Sequence, residues 1–137
     1  ALRMQRHSDN AKAVAEHLKG HDKVSWVSYA GLEGDPSHAN MLKYSPKGAG
    51  AVFTFGLKGG YEAGVTFVEA LELVSHLANI GDTRSLIIHP ASTTHSQLGE
   101  TELIAAGAGP DVVRVSVGIE NIVDIKADLE QALAEVG

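Results

Sequence analysis

Cysteine is absent from this chain, so no disulfide framework and no thiolate metal site can be built from it. That absence fits a reducing compartment, and a cytoplasmic location is the expectation. No apolar run approaches the roughly 20 residues needed to cross a bilayer, and no signal-peptide pattern opens the chain. Positive charge is scarce as well. Lys and Arg total 11 against 17 Asp and Glu, a formal net charge of −6. The basic residues are scattered and form no stripe for a phosphate backbone, which argues against nucleic acid as a partner. An initiator methionine is also missing. The chain opens on "ALRMQRHSDN", so either its first residues were removed or it is part of something longer.

What is present suits a globular domain. The 137 residues are 44% hydrophobic and 20% charged, enough for one domain with a real core. In "HSDNAKAVAEHLKG", Ser8 and Asp9 are N-cap candidates. Ala11, Val14, Ala15 and Leu18 follow at helical spacing, and Gly20 can end the helix. "KVSWVSYAG" alternates, with Val24, Trp26 and Ser28 on one face of a strand. Ser37 can cap a short helix through Leu42. "GAGAVFTFGLKGG" reads as a strand centred on residues 52–55.

"GYEAGVTFVEALELVSHLA" is the longest periodic segment and reads as one helix packed on a sheet, with Asn79 and Gly81 as its stop. Ser85 to Ile88 form a short strand, and Pro90 prevents its continuation. "GETELIAAGAGPD" suggests a short helix ended by Gly107. "DVVRVSVGIE" alternates plainly: Val113, Val115, Val117 and Ile119 share one face, and Val112, Arg114, Ser116 and Gly118 the other. The last helix starts at Asn121 with Asp124 three residues on. Its apolar stripe is Ile122, Ile125, Leu129, Leu133 and Val136. The expected fold is a single α/β domain (an α+β arrangement) over 1–137. A small mixed or antiparallel sheet of three or four strands carries helices mainly on one face.

Four features could carry chemistry. "HPASTTH" (89–95) holds two histidines, but H-x5-H with a proline and no cysteine is poor zinc spacing. A strand running into a hydroxyl-rich turn explains it better. "GLKGGYEAG" lies between a strand and a helix, the order of a phosphate loop, yet it matches no phosphate-loop pattern and turn geometry accounts for its glycines. Arg114 sits mid-strand among small residues. It must reach solvent, a structural acid or a ligand carboxylate, because burying it unpaired is costly, and its planar fork suits a carboxylate. Asn79 is either a turn residue or a donor to the same kind of group.

Two longer strings, "SHLANIGDTRSLIIHPASTTHSQL" (75–98) and "VVRVSVGIENIVDIKADLEQAL" (112–133), resemble the C-terminal part of the Cys/Met-metabolism group of pyridoxal-phosphate enzymes. Within that group the resemblance is strongest to the O-acetylhomoserine sulfhydrylases and extends from "LRMQRHSDNA" onward. It implies the small C-terminal domain of a fold-type I enzyme, a pyridoxal-phosphate cofactor, and homo-oligomers whose contacts mostly involve the large domain. The implied reaction converts O-acetylhomoserine and sulfide to homocysteine and acetate. A cystathionine γ-synthase or γ-lyase of the same group is the second reading. A stand-alone module binding small carboxylates is the third.

Arg114 matches the group's substrate-carboxylate arginine and Asn79 the position assisting it. Ser85 and Thr94 are weaker pocket candidates. No metal is implied. One departure stands out. The group's Schiff-base lysine lies in a Ser-x-Thr-Lys-type motif that is absent here, and Lys43 and Lys58 have other surroundings. The chain is therefore expected to lack the large cofactor-binding domain and to be inactive alone.

Overall fold

The computed structural model describes residues 2–137. Five strands form one sheet: β1 Val24–Ser28, β2 Val52–Leu57, β3 Ser75–His76, β4 Leu86–Ile88 and β5 Val112–Ser116. Their order is β1-β2-β5-β4-β3. β2 is antiparallel to β1 and to β5, β5 is antiparallel to β4, and the edge strand β3 runs parallel to β4. The sheet is thus mixed, with β5 in the middle.

Three helices cover one face: α1 Leu2–Lys19, α3 Gly60–Ala70 and α5 Ile122–Glu135. Ala11, Val14, Ala15 and Leu18 of α1, Phe67 and Val68 of α3, and Ile125, Leu129 and Leu133 of α5 form a single buried cluster. It includes Phe53, Phe55 and Leu57 of β2 and Val113 and Val115 of β5. The rings of Tyr29, Phe53, Phe55 and Phe67 run through it at centroid spacings of 5.3, 6.3 and 5.8 Å. Two short helices, α2 His38–Tyr44 and α4 Glu100–Ala105, lie in the connections. No helix among the described residues is long and apolar enough to cross a membrane.

Several sequence expectations need correction. α1 begins at Leu2, so Ser8 and Asp9 are inside it and cap nothing. The residues before them, Leu2 to Arg6, are good helix formers and extend the helix backwards. In β1 the register shifts between Val24 and Trp26. Val24 pairs with the core residue Leu57, whereas Trp26 pairs with Gly56 on the opposite face. A bulge therefore places Val24 and Trp26 on opposite sides. The ring of Trp26 fits only because residue 56 is glycine: a Cβ there would lie 2.1 Å from the indole Nε1.

The largest correction concerns 60–78. The helix ends at Ala70, Leu71 is extended, and residues 75–76 become the fifth strand. Asp128 of α5 intercepts the chain. Its carboxylate accepts the backbone N–H groups of Glu72 (2.9 Å), Leu73 (3.0 Å) and Val74 (2.9 Å). The helix has no use for these donors once a buried anion takes them. Asn79 consequently follows a strand and ends no helix. Ser37 precedes α2 but gives it no side-chain cap, whereas other expectations are met more closely. Asn121 caps α5, its side chain accepting the Val123 N–H at 3.0 Å. Gly107 has φ +69 beyond α4. Gly59 and Gly60 take φ +102 and +65 at the turn into α3, which only glycine adopts freely.

Candidate functional site

The second face of the sheet carries no long helix. Its residues are the alternates of the core positions: Trp26 and Ser28 in β1, Val52 and Thr54 in β2, Arg114 and Ser116 in β5. Arg114 stands at the centre of the middle strand. Thr54 is directly opposite on one side and Ile88 on the other. It is half-buried. Among the described residues its guanidinium has no hydrogen-bond acceptor and no ion pair: the carboxylates that pair with bases face Lys12, His17, His21 and Arg84. Its neighbours in register are uncharged. A five-donor cation held between a threonine and an isoleucine, with no acid to neutralise it, is poised for an anion from outside.

Asn79 lies past the end of β3, at the edge of the same sheet, with β4 between it and β5. It is exposed. Its side-chain oxygen accepts the Ile80 N–H at 2.8 Å, which leaves the amide nitrogen free to donate outward. No hydrogen bond joins Asn79 to Arg114. The segment is held on its far side by Arg3, which donates to the Gly81 carbonyl at 3.0 Å. Further along, the backbone N–H of Arg84 and then its side chain hold the Asp82 carboxyl below the usual carboxylate range.

Ser85 is fully buried and fully engaged. Its hydroxyl donates to Glu120 Oε2 at 3.0 Å and accepts the Gly118 N–H at 2.8 Å. Its own N–H donates to Glu120 Oε1 at 2.5 Å. It joins the start of β4 to the chain beyond β5. Thr94 is exposed, and its hydroxyl meets His95 Nδ1 at 2.8 Å.

Ser85 and Glu120 belong to a larger clasp. Asn10 of α1 donates to the carbonyls of Gly118 (3.1 Å) and Glu120 (2.9 Å), and His7 Nδ1 lies 2.7 Å from the Val117 carbonyl. Gly118 must be glycine, since a Cβ would sit 2.2 Å from Glu120 Oε2 and 2.4 Å from the Thr83 carbonyl. Sequence reasoning missed Glu120, Asn10 and Asp128. Each acts across 30 residues or more of chain (|i−j| 35 for Ser85–Glu120), and no local pattern reports such a contact.

"HPASTTH" is structural at its first histidine. His89 is fully buried. Its Nε2 is 2.8 Å from the Pro110 carbonyl and its Nδ1 is 2.9 Å from the Ser92 hydroxyl, so both ring nitrogens are occupied. The ring fills the space above Gly64, where a Cβ would come within 2.5 Å of it. Thr93 closes the turn by donating to the His89 carbonyl at 2.8 Å.

A cofactor joined as an imine needs an enclosed lysine beside it. Lys43 and Lys58 are exposed. Lys23 is partly buried, but its ammonium donates to the terminal carbonyls of α5, 2.9 Å from that of Leu133 and 2.5 Å from that of Val136. None of these three lysines therefore fits a pyridoxal-phosphate attachment site.

Comparison with known proteins agrees with the fold and the motifs. Residues 1–134 match the family model described as Cys/Met metabolism PLP-dependent enzyme. The chain is 53% identical over 134 residues to O-acetyl-L-homoserine sulfhydrylase 1 of Thermus thermophilus, covering 98% of this chain and 32% of that protein. It is 54% identical over 136 residues to O-acetyl-L-homoserine sulfhydrylase of Leptospira meyeri, covering 98% and 31%. Homocysteine synthase of Schizosaccharomyces pombe is 53% identical over 133 residues, covering 97% and 31%. The crystal structure of a putative O-acetylhomoserine (thiol)-lyase from Campylobacter jejuni superposes with a TM-score of 0.90 at 41% identity. That match covers 98% of this chain and 32% of the other, which carries an N'-pyridoxyl-lysine-5'-monophosphate. The chain thus spans about a third of the length of these relatives.

Proposed function

From the premise that this chain belongs to the Cys/Met metabolism PLP-dependent enzyme family, we propose that it is the substrate-carboxylate-binding domain of an O-acetylhomoserine sulfhydrylase. The whole enzyme would convert O-acetylhomoserine and sulfide to homocysteine and acetate. One observation carries the reading: Arg114 presents an uncompensated guanidinium from the middle strand of a rigid sheet. A carboxylate can meet that fork with two parallel hydrogen bonds. Asn79 is the second donor, its amide nitrogen left free by the Ile80 contact. Holding the amino acid by its carboxylate fixes the reacting carbon, and such positioning lowers the barrier at a centre the clamp never touches.

The cofactor of the family supplies an electron sink when bound. Its lysine and its pocket belong, in this reading, to polypeptide outside these residues. Ser85 contributes by fixing β4 against β5. Thr94, with an exposed hydroxyl, is a candidate rim residue. The enzyme is a homo-oligomer of the cytoplasm that uses a small amino-acid ester and neither nucleic acid nor membrane.

The test is kinetic. In the full-length protein carrying this chain, Arg114→Ala should lower kcat/KM for O-acetylhomoserine by roughly a hundredfold, as expected when one partner of a buried charge pair is removed. Arg114→Lys keeps the charge but loses the fork and should recover only part. An Arg114→Ala enzyme with unchanged kcat/KM would sink the proposal. Offering cysteine in place of sulfide tests the synthase reading, and offering methionine in place of O-acetylhomoserine tests the lyase reading.

A further inference from the structure

The end of α3 raises a question the carboxylate site does not answer. The sequence from 60 to 78 has helical periodicity with no Gly or Pro after Gly64, yet the helix stops at Ala70. Nothing within the segment stops it. Two residues of α5 do. Asp128 is 6% exposed and has no basic partner among the described residues. Its two oxygens take the N–H groups of Glu72, Leu73 and Val74 and a fourth bond from Gln131 Nε2 at 3.1 Å. The same Gln131 nitrogen donates to the Ala70 carbonyl at 2.7 Å. Asp128 and Gln131 thus satisfy both the last carbonyl of α3 and the first donors beyond it.

The consequence falls on Asn79. Once turned by Asp128, the chain reaches β4 in extended form: Ser75 donates to the Ser85 carbonyl at 3.0 Å and Leu77 to the Ile87 carbonyl at 3.2 Å. Asn79 is two residues further on. Three successive amides on one buried carboxylate make a charge-assisted grip stronger than neutral hydrogen bonds would provide. Without it, residues 71–78 regain their helical option and draw Asn79 away from the sheet edge. We infer that Asp128 is a positioning residue for substrate binding: it breaks α3 and delivers Asn79 to the carboxylate site. The inference rests on the reading of Asn79 as second carboxylate donor.

The experiment compares Asn79→Ala, Asp128→Ala, Asp128→Asn and the double variant Asn79→Ala/Asp128→Ala in the full-length protein, with O-acetylhomoserine as variable substrate. Asn79→Ala and Asp128→Ala should each raise KM by about tenfold, the size of one lost hydrogen bond, and change kcat by less than about twofold. The double variant should match Asn79→Ala alone, because both remove the same contact. Asp128→Asn keeps one acceptor oxygen and should fall between. Amide exchange at residues 72–74 should quicken in both Asp128 variants. A normal KM in Asp128→Ala, or an effect that adds fully to that of Asn79→Ala, overturns the inference. If Asp128→Ala does not fold, Asp128→Asn decides by the same KM comparison. If Asn79→Ala itself leaves KM unchanged, the Asn79 reading fails and this inference with it. Arg114→Ala then shows separately whether the carboxylate site stands.

Discussion

The two sides of β5 carry opposite assignments. Val113, Val115 and Val117 point into the helix-covered core at 0%, 2% and 0% exposure. Arg114 and Ser116, interleaved with them, point to the face without a long helix. The period of two makes this possible, since a strand turns successive side chains to opposite faces. One side is saturated: the core packs rings and branched side chains with its polar atoms elsewhere. The other side is left chemically open: among the described residues its arginine has no acid and its serine hydroxyl no partner. Close packing of the first side holds the second side in register. Damage to the covered face should therefore appear as lost stability, and damage to the open face as lost binding.

The sharpest way to break that contrast is Phe67→Ala. Phe67 is fully buried and meets Phe55 edge to face at 5.8 Å and 85°. Removing it leaves a cavity under the sheet and should cost about 3–5 kcal/mol, read by urea unfolding of the protein. If Phe67→Ala costs less than about 1 kcal/mol, the covered face is not the packed core described.

A smaller effect separates enclosed from open hydroxyls. Tyr29 is 3% exposed, lies tilted against Phe53 and donates to the Gly50 carbonyl at 2.8 Å. Burial, and secondarily the charge of Asp9, push its pKa up to about 12. Tyr44 is 74% exposed. A folded-state pKa above the unfolded value means that the unfolded chain loses this proton first. The stability Tyr29 confers is whole below about pH 10. It is lost as pH rises through the interval up to the folded value of about 12. Ultraviolet titration should show a late-ionising tyrosine, and Tyr29→Phe should abolish that late phase. A late phase that survives the substitution would assign the enclosed hydroxyl elsewhere.

How legible these regions were in the sequence differs by the range of the interactions that build them. β5 announced itself because alternation is local, and Arg114 stood out as a charge on a strand of valines. The stripe of α5 was equally plain, and Ile125, Leu129 and Leu133 are buried as their spacing implies. The α3–β3 boundary was not legible: the competing interaction, Asp128 with residues 72–74, comes from more than 50 residues away (|i−j| 54 to 56). The same holds for Ser85, whose surroundings are set by Glu120, and for Trp26, whose side of the sheet is set by a bulge. The motif marks Asn79 as a site candidate, while its place beyond a strand comes from tertiary contacts that override propensity.

The smallest expected effect bears on the open face directly. Ser116 is 3% exposed, and its hydroxyl has no hydrogen-bond partner among the described residues. It lies opposite Val52 and Leu86, neither of which can supply a side-chain acceptor. A buried hydroxyl without a partner forfeits its bonds to water and gains none in exchange, so removing it should relieve the fold. Ser116→Ala should thus leave stability unchanged or raise it by up to about 1 kcal/mol, measured by the same urea unfolding. Its neighbour two residues back, Arg114, fixes what the opposite result would mean. If Ser116→Ala is stabilised and KM of the full-length protein is untouched, the hydroxyl is a local defect of packing. If stability rises while KM of the full-length protein for the proposed amino-acid substrate also rises, Ser116 joins Arg114 in the proposed carboxylate site.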